Sequence, residues 1–144
     1  GMNKLSFGLN GSYIYTNAKM PLATVTTGSQ LEGAAPWIAN FDLSHNFTKG
    51  THSFINTLVF NYVSDKIYTI GTQGYQDIME QGMMTLDFVS QAKLNKYVSL
   101  TLKARNLLNP SYKLSRKANK NGEKVILNDY KKGINISLGV SCTF

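Results

Sequence analysis

His45 and His52 are the first side chains to weigh for chemistry, since imidazole serves both as a metal ligand and as a proton shuttle. They flank a turn, and neither has a cysteine or carboxylate at a spacing that would complete a metal site. Both read as surface histidines, and no metal is expected. Asp42 and Asp87 can be paired on paper as an acid and a base, but nothing local supports a glycosidase-like arrangement. Gly71 and Gly74 do not form a phosphate-cradling loop, because no Lys-Ser/Thr and no helix follow them. Cys142 is the single cysteine, so it has no internal disulfide partner and reads as a small apolar side chain in the last strand. With no catalytic constellation and no cofactor site, the chain is not expected to be an enzyme.

The elements that must carry these residues are strands. Leu5, Phe7, Leu9, Tyr13 and Tyr15 alternate with Ser6, Gly8, Asn10, Ser12 and Thr16, which is the period of a strand with one apolar face. Trp37, Ala39, Phe41, Leu43 and Phe47 do the same against Asn40, Asp42, Ser44 and Asn46. Phe54, Leu58, Phe60 and Tyr62 oppose Ser53, Thr57 and Asn61, although Ile55 and Val59 blur the contrast. Met84, Leu86, Phe88, Ala92 and Leu94 form a fourth segment, and Val98, Leu100, Leu102 and Ala104 a fifth. The last sets Ile134, Ile136, Leu138, Val140, Cys142 and Phe144 against Asn135, Ser137, Gly139, Ser141 and Thr143. No amphipathic helix of comparable quality competes. The expectation is an all-β chain, an antiparallel meander of about six to eight strands shaped as a partial outer-membrane-type β-barrel.

The connections alternate in length. Asn17 to Pro36, Thr69 to Met83 and Asn109 to Gly133 are long, whereas Thr48 to Thr51 and Asn95 to Tyr97 are tight. Short turns at one end and long loops at the other are the habit of outer-membrane barrels. Parts of the long connections, such as Lys124 to Leu127, can extend the hairpins beyond the membrane.

Composition narrows the class further. The chain is 42% hydrophobic and 16% charged, which argues against disorder. No apolar run reaches the length of a transmembrane helix, about 18 residues. The formal charge of +7 raises nucleic acid or anionic lipid as partners. Much of that excess lies in Lys113, Arg116, Lys117, Lys120, Lys124, Lys131 and Lys132, a run that reads as a solvated loop. No compact stacking motif accompanies it, so no nucleic-acid partner is expected. The opening Gly1-Met2-Asn3-Lys4 carries no secretory signal, and Gly1 ahead of Met2 reads as a cloning remnant. A fragment, or a chain stripped of its export signal, is the expectation.

Alternation alone does not say which face is wet. In a soluble sandwich the apolar face turns inward; in a membrane barrel it turns out to lipid and the polar face lines the lumen. Two features favour the barrel. The polar face carries Asp42, Asp87, Lys103 and Arg105, and a tight turn between the fourth and fifth segments sets Asp87 across from Arg105 and Gln91 across from Thr101. Aromatic residues also gather near the loop ends of strands: Tyr13, Tyr15, Trp37, Tyr62 and Tyr68. With Phe41, Phe60 and Phe88 these make the expected lipid-facing or girdle set.

Several stretches then resemble a known family. Leu31-Glu32-Gly33-Ala34-Ala35-Pro36-Trp37-Ile38-Ala39-Asn40 is similar to the segment entering one of the last barrel strands of TonB-dependent receptors, especially those of Bacteroidetes. Tyr62 to Tyr68 with Gly71 resembles the strand end and loop that follow, and Leu86-Asp87-Phe88-Val89, Lys93 to Lys96, and Lys103-Ala104-Arg105-Asn106-Leu107-Leu108-Asn109-Pro110 resemble the family's closing region, in the same order. The final Phe144 resembles the C-terminal aromatic signal read by the barrel-assembly machinery. The resemblance implies a large plugged barrel in the outer membrane of a Gram-negative bacterium, importing scarce nutrients with energy passed on from the inner membrane.

The chain departs from that pattern in having no plug domain and too few strands for a barrel of roughly 22. Residues 1–144 therefore read as a single barrel-derived domain that does not transport alone. Its expected partners are outer-membrane lipid, the missing strands and plug, and the assembly machinery. Isolated, it is expected to form homo-oligomers or to invert, since an apolar band and two open edges are poorly tolerated in water. The competing reading is a small soluble β-barrel or sandwich that binds a hydrophobic ligand or partner.

Overall fold

A computed structural model describes residues 2–17, 30–71, 75–118 and 123–143. Every regular element among them is a strand. The six segments with period-two alternation become the long strands β1 (Met2–Tyr13), β2 (Trp37–Lys49), β3 (His52–Val63), β6 (Met83–Lys93), β7 (Val98–Arg105) and β10 (Asn135–Cys142). They form one antiparallel sheet in the order β1-β2-β3-β6-β7-β10. The expected all-β meander is what the chain forms, as an open sheet without barrel closure.

Four shorter strands come from the long connections: β4 (Lys66–Thr69), β5 (Ile78–Glu80), β8 (Ser111–Lys117) and β9 (Lys124–Lys131). They build a second antiparallel sheet, β4-β5-β8-β9, whose order follows that of β3-β6-β7-β10. The second sheet is thus the same two hairpins prolonged beyond a break. The basic run is not a loop, which corrects the sequence reading. Its Lys113 to Lys117 and Lys124 to Lys131 portions are a hairpin, held by Lys113–Asp129 at 3.6 Å and by the Tyr112–Tyr130 ring pair at 5.0 Å between centroids. Lys120 lies outside the described residues.

Register carries most apolar side chains of the six long strands onto one face, while Ile38, Ile55, Val59, Val63, Met83 and Val89 fall on the other with Asp42 and Asp87. One row runs Phe7, Leu43, Leu58, Phe88, Ala104, Ile136 across the whole sheet. A one-residue slip in any strand would transfer its apolar set to the other face. Gln91 pairs with Thr101, as expected. The β6–β7 ladder stops at Phe88–Ala104, one pair short of Asp87 and Arg105. Asp87 instead accepts the Asn106 N–H at 2.8 Å, so the expected cross-strand ion pair is replaced by a hydrogen bond at the strand end.

Very little is buried. Among the described residues the buried apolar ones are Ala35, Ile67 and Ile70, where residues 31–36 lie against β4. Gly33 donates its N–H to the Ile67 carbonyl at 2.8 Å, and the Glu32 carboxylate accepts the Ile70 N–H at 2.7 Å. Gly33 has φ 76°, a left-handed conformation open to glycine at no steric cost. Among the described residues no long-strand side chain is buried; the central strands are mostly half-exposed and the edge strands more so, Phe7 being 77% exposed and Leu138 70%. The accessible surface is 10264 Å² for 16.0 kDa. A folded monomer of that mass exposes roughly 7,400 Å² by the usual scaling. Exposed apolar sheet face and open edge contribute to the excess.

Candidate functional site

Two regions combine enough distinctive side chains to act. The first is the apolar face and its border. At the long-connection end, Tyr13 of β1 pairs with Trp37 of β2, their ring centroids 4.5 Å apart. Tyr62 of β3 lies opposite Ala39 one row further in. Phe41 and Phe60 face each other in the row below, and Phe88 joins Leu43 and Leu58 in the next. The structure therefore unites Tyr13, Trp37, Tyr62, Phe41, Phe60 and Phe88 on one face. Tyr15 lies past the end of β1, exposed, and Tyr68 belongs to β4 rather than to the end of a long strand. Phe144 lies outside the described residues.

Trp37 to Phe47 spans ten residue steps of β2. At about 3.4 Å per residue that is about 34 Å along the strand. Tilted at about 40–45° to a barrel axis, such a length stands about 25 Å tall, the height of a barrel's apolar band. Beside the belt, Gly11 and Ala39 have too little side chain to fill the space between Leu9, Tyr13, Trp37 and Tyr62, leaving an apolar hollow of about 550 Å³.

One row of this face is polar at its centre, between Leu5 on one side and Leu102 and Leu138 on the other. His45, Asn56 and Ser90 lie side by side on β2, β3 and β6, and Ser90 Oγ donates to Asn56 Oδ1 at 2.7 Å. Sequence reading treated His45 as an isolated surface histidine; only the register reveals the row. Among the described residues no three His, Cys, Asp or Glu side chains converge as a metal site would require.

The second region is the junction between the sheets. Asn106 and Asn109 have φ of 59° and 43°, and Gly133 of 84°. Asparagine is among the few side chains that tolerate this left-handed region. Asn106 Nδ2 donates to the Gly133 carbonyl at 2.7 Å, and Gly133 N–H donates to Asn109 Oδ1 at 3.0 Å. Leu107 N–H bonds the Leu86 carbonyl at 2.8 Å. The β7–β8 and β9–β10 crossings are thereby tied to each other and to β6. Gly82, at the β5–β6 crossing, has no room for a side chain: a Cβ would meet the Val63 carbonyl oxygen at 2.7 Å.

Below this junction lies a cavity of about 380 Å³, walled by Met83, Thr85 and Asp87 of β6, Arg105, Asn106, Pro110, Tyr112, Lys132, Gly133 and Asn135. A smaller hollow of about 210 Å³ adjoins it, sharing Met83, Tyr112 and Lys132. The Tyr112 hydroxyl bonds Glu80 at 3.2 Å, and Glu80 also pairs with Lys66 at 3.2 Å. Partial burial first, and the Glu80 charge second, push the Tyr112 phenol above its ordinary pKa of 10.0. Lys132 Nζ sits 5.6 Å from the centre of the Tyr112 ring.

Of the expected polar-face charges, Asp87 and Arg105 meet in this cavity. Asp42 does not: it shares a row with Asp87 across β3, about 10 Å away by strand spacing, and its carboxylate folds over Gly8 instead. Lys103 lies opposite Val89 and Ser137, one row from Arg105. Tyr112, Lys132 and the Asn106–Gly133 tie were not anticipated. The Asn-x-x-Asn-Pro spacing was the available signal for the last.

No protein-family model, curated protein or solved structure matches this chain.

Proposed function

We propose that this chain supplies six consecutive wall strands of an outer-membrane β-barrel receptor of the TonB-dependent type, with its apolar face against lipid and its polar face toward the lumen. The observation that carries the reading is the mainly apolar face of β1-β2-β3-β6-β7-β10, bordered by Tyr13, Trp37 and Tyr62, with no second layer packed on it among the described residues. A face of this size is costly in water and favourable against hydrocarbon. The edges of β1 and β10, unpaired among the described residues, support the same reading, because a barrel is the arrangement that abolishes edges. Closure then needs further strands, from the remainder of a longer chain or from copies of this one.

The receptor type rests on the ordered resemblance. Two of its pieces have structural work: residues 31–36 pack against β4, and Asn106 to Pro110 build the sheet junction. On this reading the chain alone does not transport. Lipid, the plug and remaining strands, and the barrel-assembly machinery are its partners, and the outer membrane of a Gram-negative bacterium its location.

Trp37 is the only tryptophan, so its fluorescence reports one place, the border of the band. The chain refolded into phosphatidylcholine vesicles is expected to be quenched by brominated acyl chains, more by bromine near the headgroup than by bromine near the chain end. A folded chain whose Trp37 ignores both lipids overturns the proposal. The soluble β-module, with the hollow beside Trp37 as a hydrophobic ligand site, then becomes the better account.

A further inference from the structure

We propose that the junction cavity binds a small organic oxyanion, a carboxylate or phosphate attached to an apolar body, through Arg105 and Lys132. The cavity is formed by the side chains of the crossing itself, so the proposal holds whichever surface the apolar band meets.

The charge balance gives the sign of the ligand. Three ionic side chains wall the cavity: Arg105, Lys132 and Asp87. The Asp87 carboxylate already accepts the Asn106 N–H. Glu80, in the adjoining hollow, is held by Lys66 and by the Tyr112 hydroxyl. Neither Arg105 nor Lys132 has a carboxylate within ion-pair distance among the described residues. Two cations therefore face one carboxylate whose charge is partly committed, and the space between them attracts an anion.

The side chains also specify its form. The Arg105 guanidinium is a planar fork suited to the two oxygens of a carboxylate or phosphate. Lys132 adds a point charge, and its position over the Tyr112 ring keeps it at the cavity wall. Met83, Pro110 and Tyr112 supply apolar surface next to these charges, which a bare inorganic ion would leave unused. The volume, about 380 Å³, lies at the small end of ligand pockets. The Asn106 and Asn109 bonds to Gly133 brace the backbone next to Arg105 and Lys132, so the points from which the two cations project are fixed.

Binding of benzoate and of phenyl phosphate to the full chain, refolded in a neutral detergent at low salt, tests this by calorimetry, with benzyl alcohol as the uncharged comparison. Expected are binding of at least one anion at millimolar concentration or better, no binding of benzyl alcohol, and at least tenfold weakening in Arg105→Gln. Lys132→Gln should weaken binding severalfold. Lys93→Gln, on the same face but outside the cavity, should leave it unchanged. Whether benzoate or phenyl phosphate binds more tightly distinguishes the carboxylate from the phosphate form. Equal binding of benzyl alcohol, no binding of either anion, or equal weakening by Lys93→Gln and Arg105→Gln overturns the proposal. Far-UV circular dichroism of each variant checks the fold. Trp37 quenching, measured separately, keeps failure of this site distinct from failure of the membrane reading.

Discussion

Replacing Leu58 with arginine puts a charge at the middle of the apolar face. Leu58 shares its row with Phe7, Leu43, Phe88, Ala104 and Ile136. That row lies six residue steps from the Trp37 row and four from the Phe47 row. At about 3.4 Å per step these are about 20 Å and 14 Å along the strand. With a tilt of about 45° they become about 14 Å and 10 Å of height, so on the proposed membrane reading Leu58 would sit within a few ångströms of the centre of a band about 25 Å tall. Arginine on the lipid face at that depth costs about 2–4 kcal/mol, which is roughly 30- to 700-fold in the folded-to-unfolded ratio. Gln91→Arg on the polar face, in the same sheet and one strand over, is expected to change stability by no more than about 0.5 kcal/mol. Reversible urea unfolding in phosphatidylcholine vesicles, followed by Trp37 emission, measures both. Equal costs for Leu58→Arg and Gln91→Arg refute the assignment of the two faces.

The junction and the polar row give two more tests. Asn106→Ala loses the bond to the Gly133 carbonyl and puts a Cβ-bearing residue without a compensating amide at φ 59°; a loss of about 2–4 kcal/mol is expected from the two effects together. Asn106→Gly keeps the conformation accessible and should lose about 1 kcal/mol less, the difference being read as a shift in denaturation midpoint. The double change Asn56→Leu with Ser90→Ala removes both partners of a hydrogen bond from the apolar face. It should raise stability in vesicles while worsening aggregation in detergent-free buffer, and a loss of stability in vesicles would count against lipid contact at that row.

The long sheet was legible because its information is local. Each of the six strands carries alternation over many residues, and the short turns fix the registers that put Gln91 against Thr101 and Phe47 against Phe54. Of the shorter strands, only the start of β9 was anticipated, in the expectation that Lys124 to Leu127 extends a hairpin. β5 has three residues and β4 four, too few for a period to stand out, and β8 and β9 carry their lysines on a face that composition alone reads as solvated loop. The junction was hidden for a different reason. Asn106, Asn109 and Gly133 matter through bonds that join residues more than twenty positions apart, and no periodicity encodes such a tie. Asp87 and Arg105 show the limit of extrapolating register. The reasoning held through Phe88–Ala104 and failed at the next pair, where the chain leaves the ladder to turn.

The position of the break between the sheets bears on what the apolar face meets. Below it, the side that carries Trp37, Phe41 and Leu43 is mainly apolar across the six strands, interrupted by His45, Asn56 and Ser90. Above it, Tyr112 lines the cavity with Thr85 and Asp87, which puts Tyr112 on the polar side. Lys113, Ser115 and Lys117 alternate with Tyr112, Leu114 and Arg116, so they continue the apolar side. Lys117 and Lys124 are directly paired there, and like charges opposite each other are tolerated where water or counter-ions reach them. One surface therefore changes from hydrocarbon-like to lysine-rich across the line marked by Tyr13, Trp37 and Tyr62. Against a second protein layer, nothing requires the aromatic belt, the break in the sheet and the onset of charge to coincide. At the edge of a bilayer all three answer to the same boundary, where hydrocarbon gives way to headgroups and water.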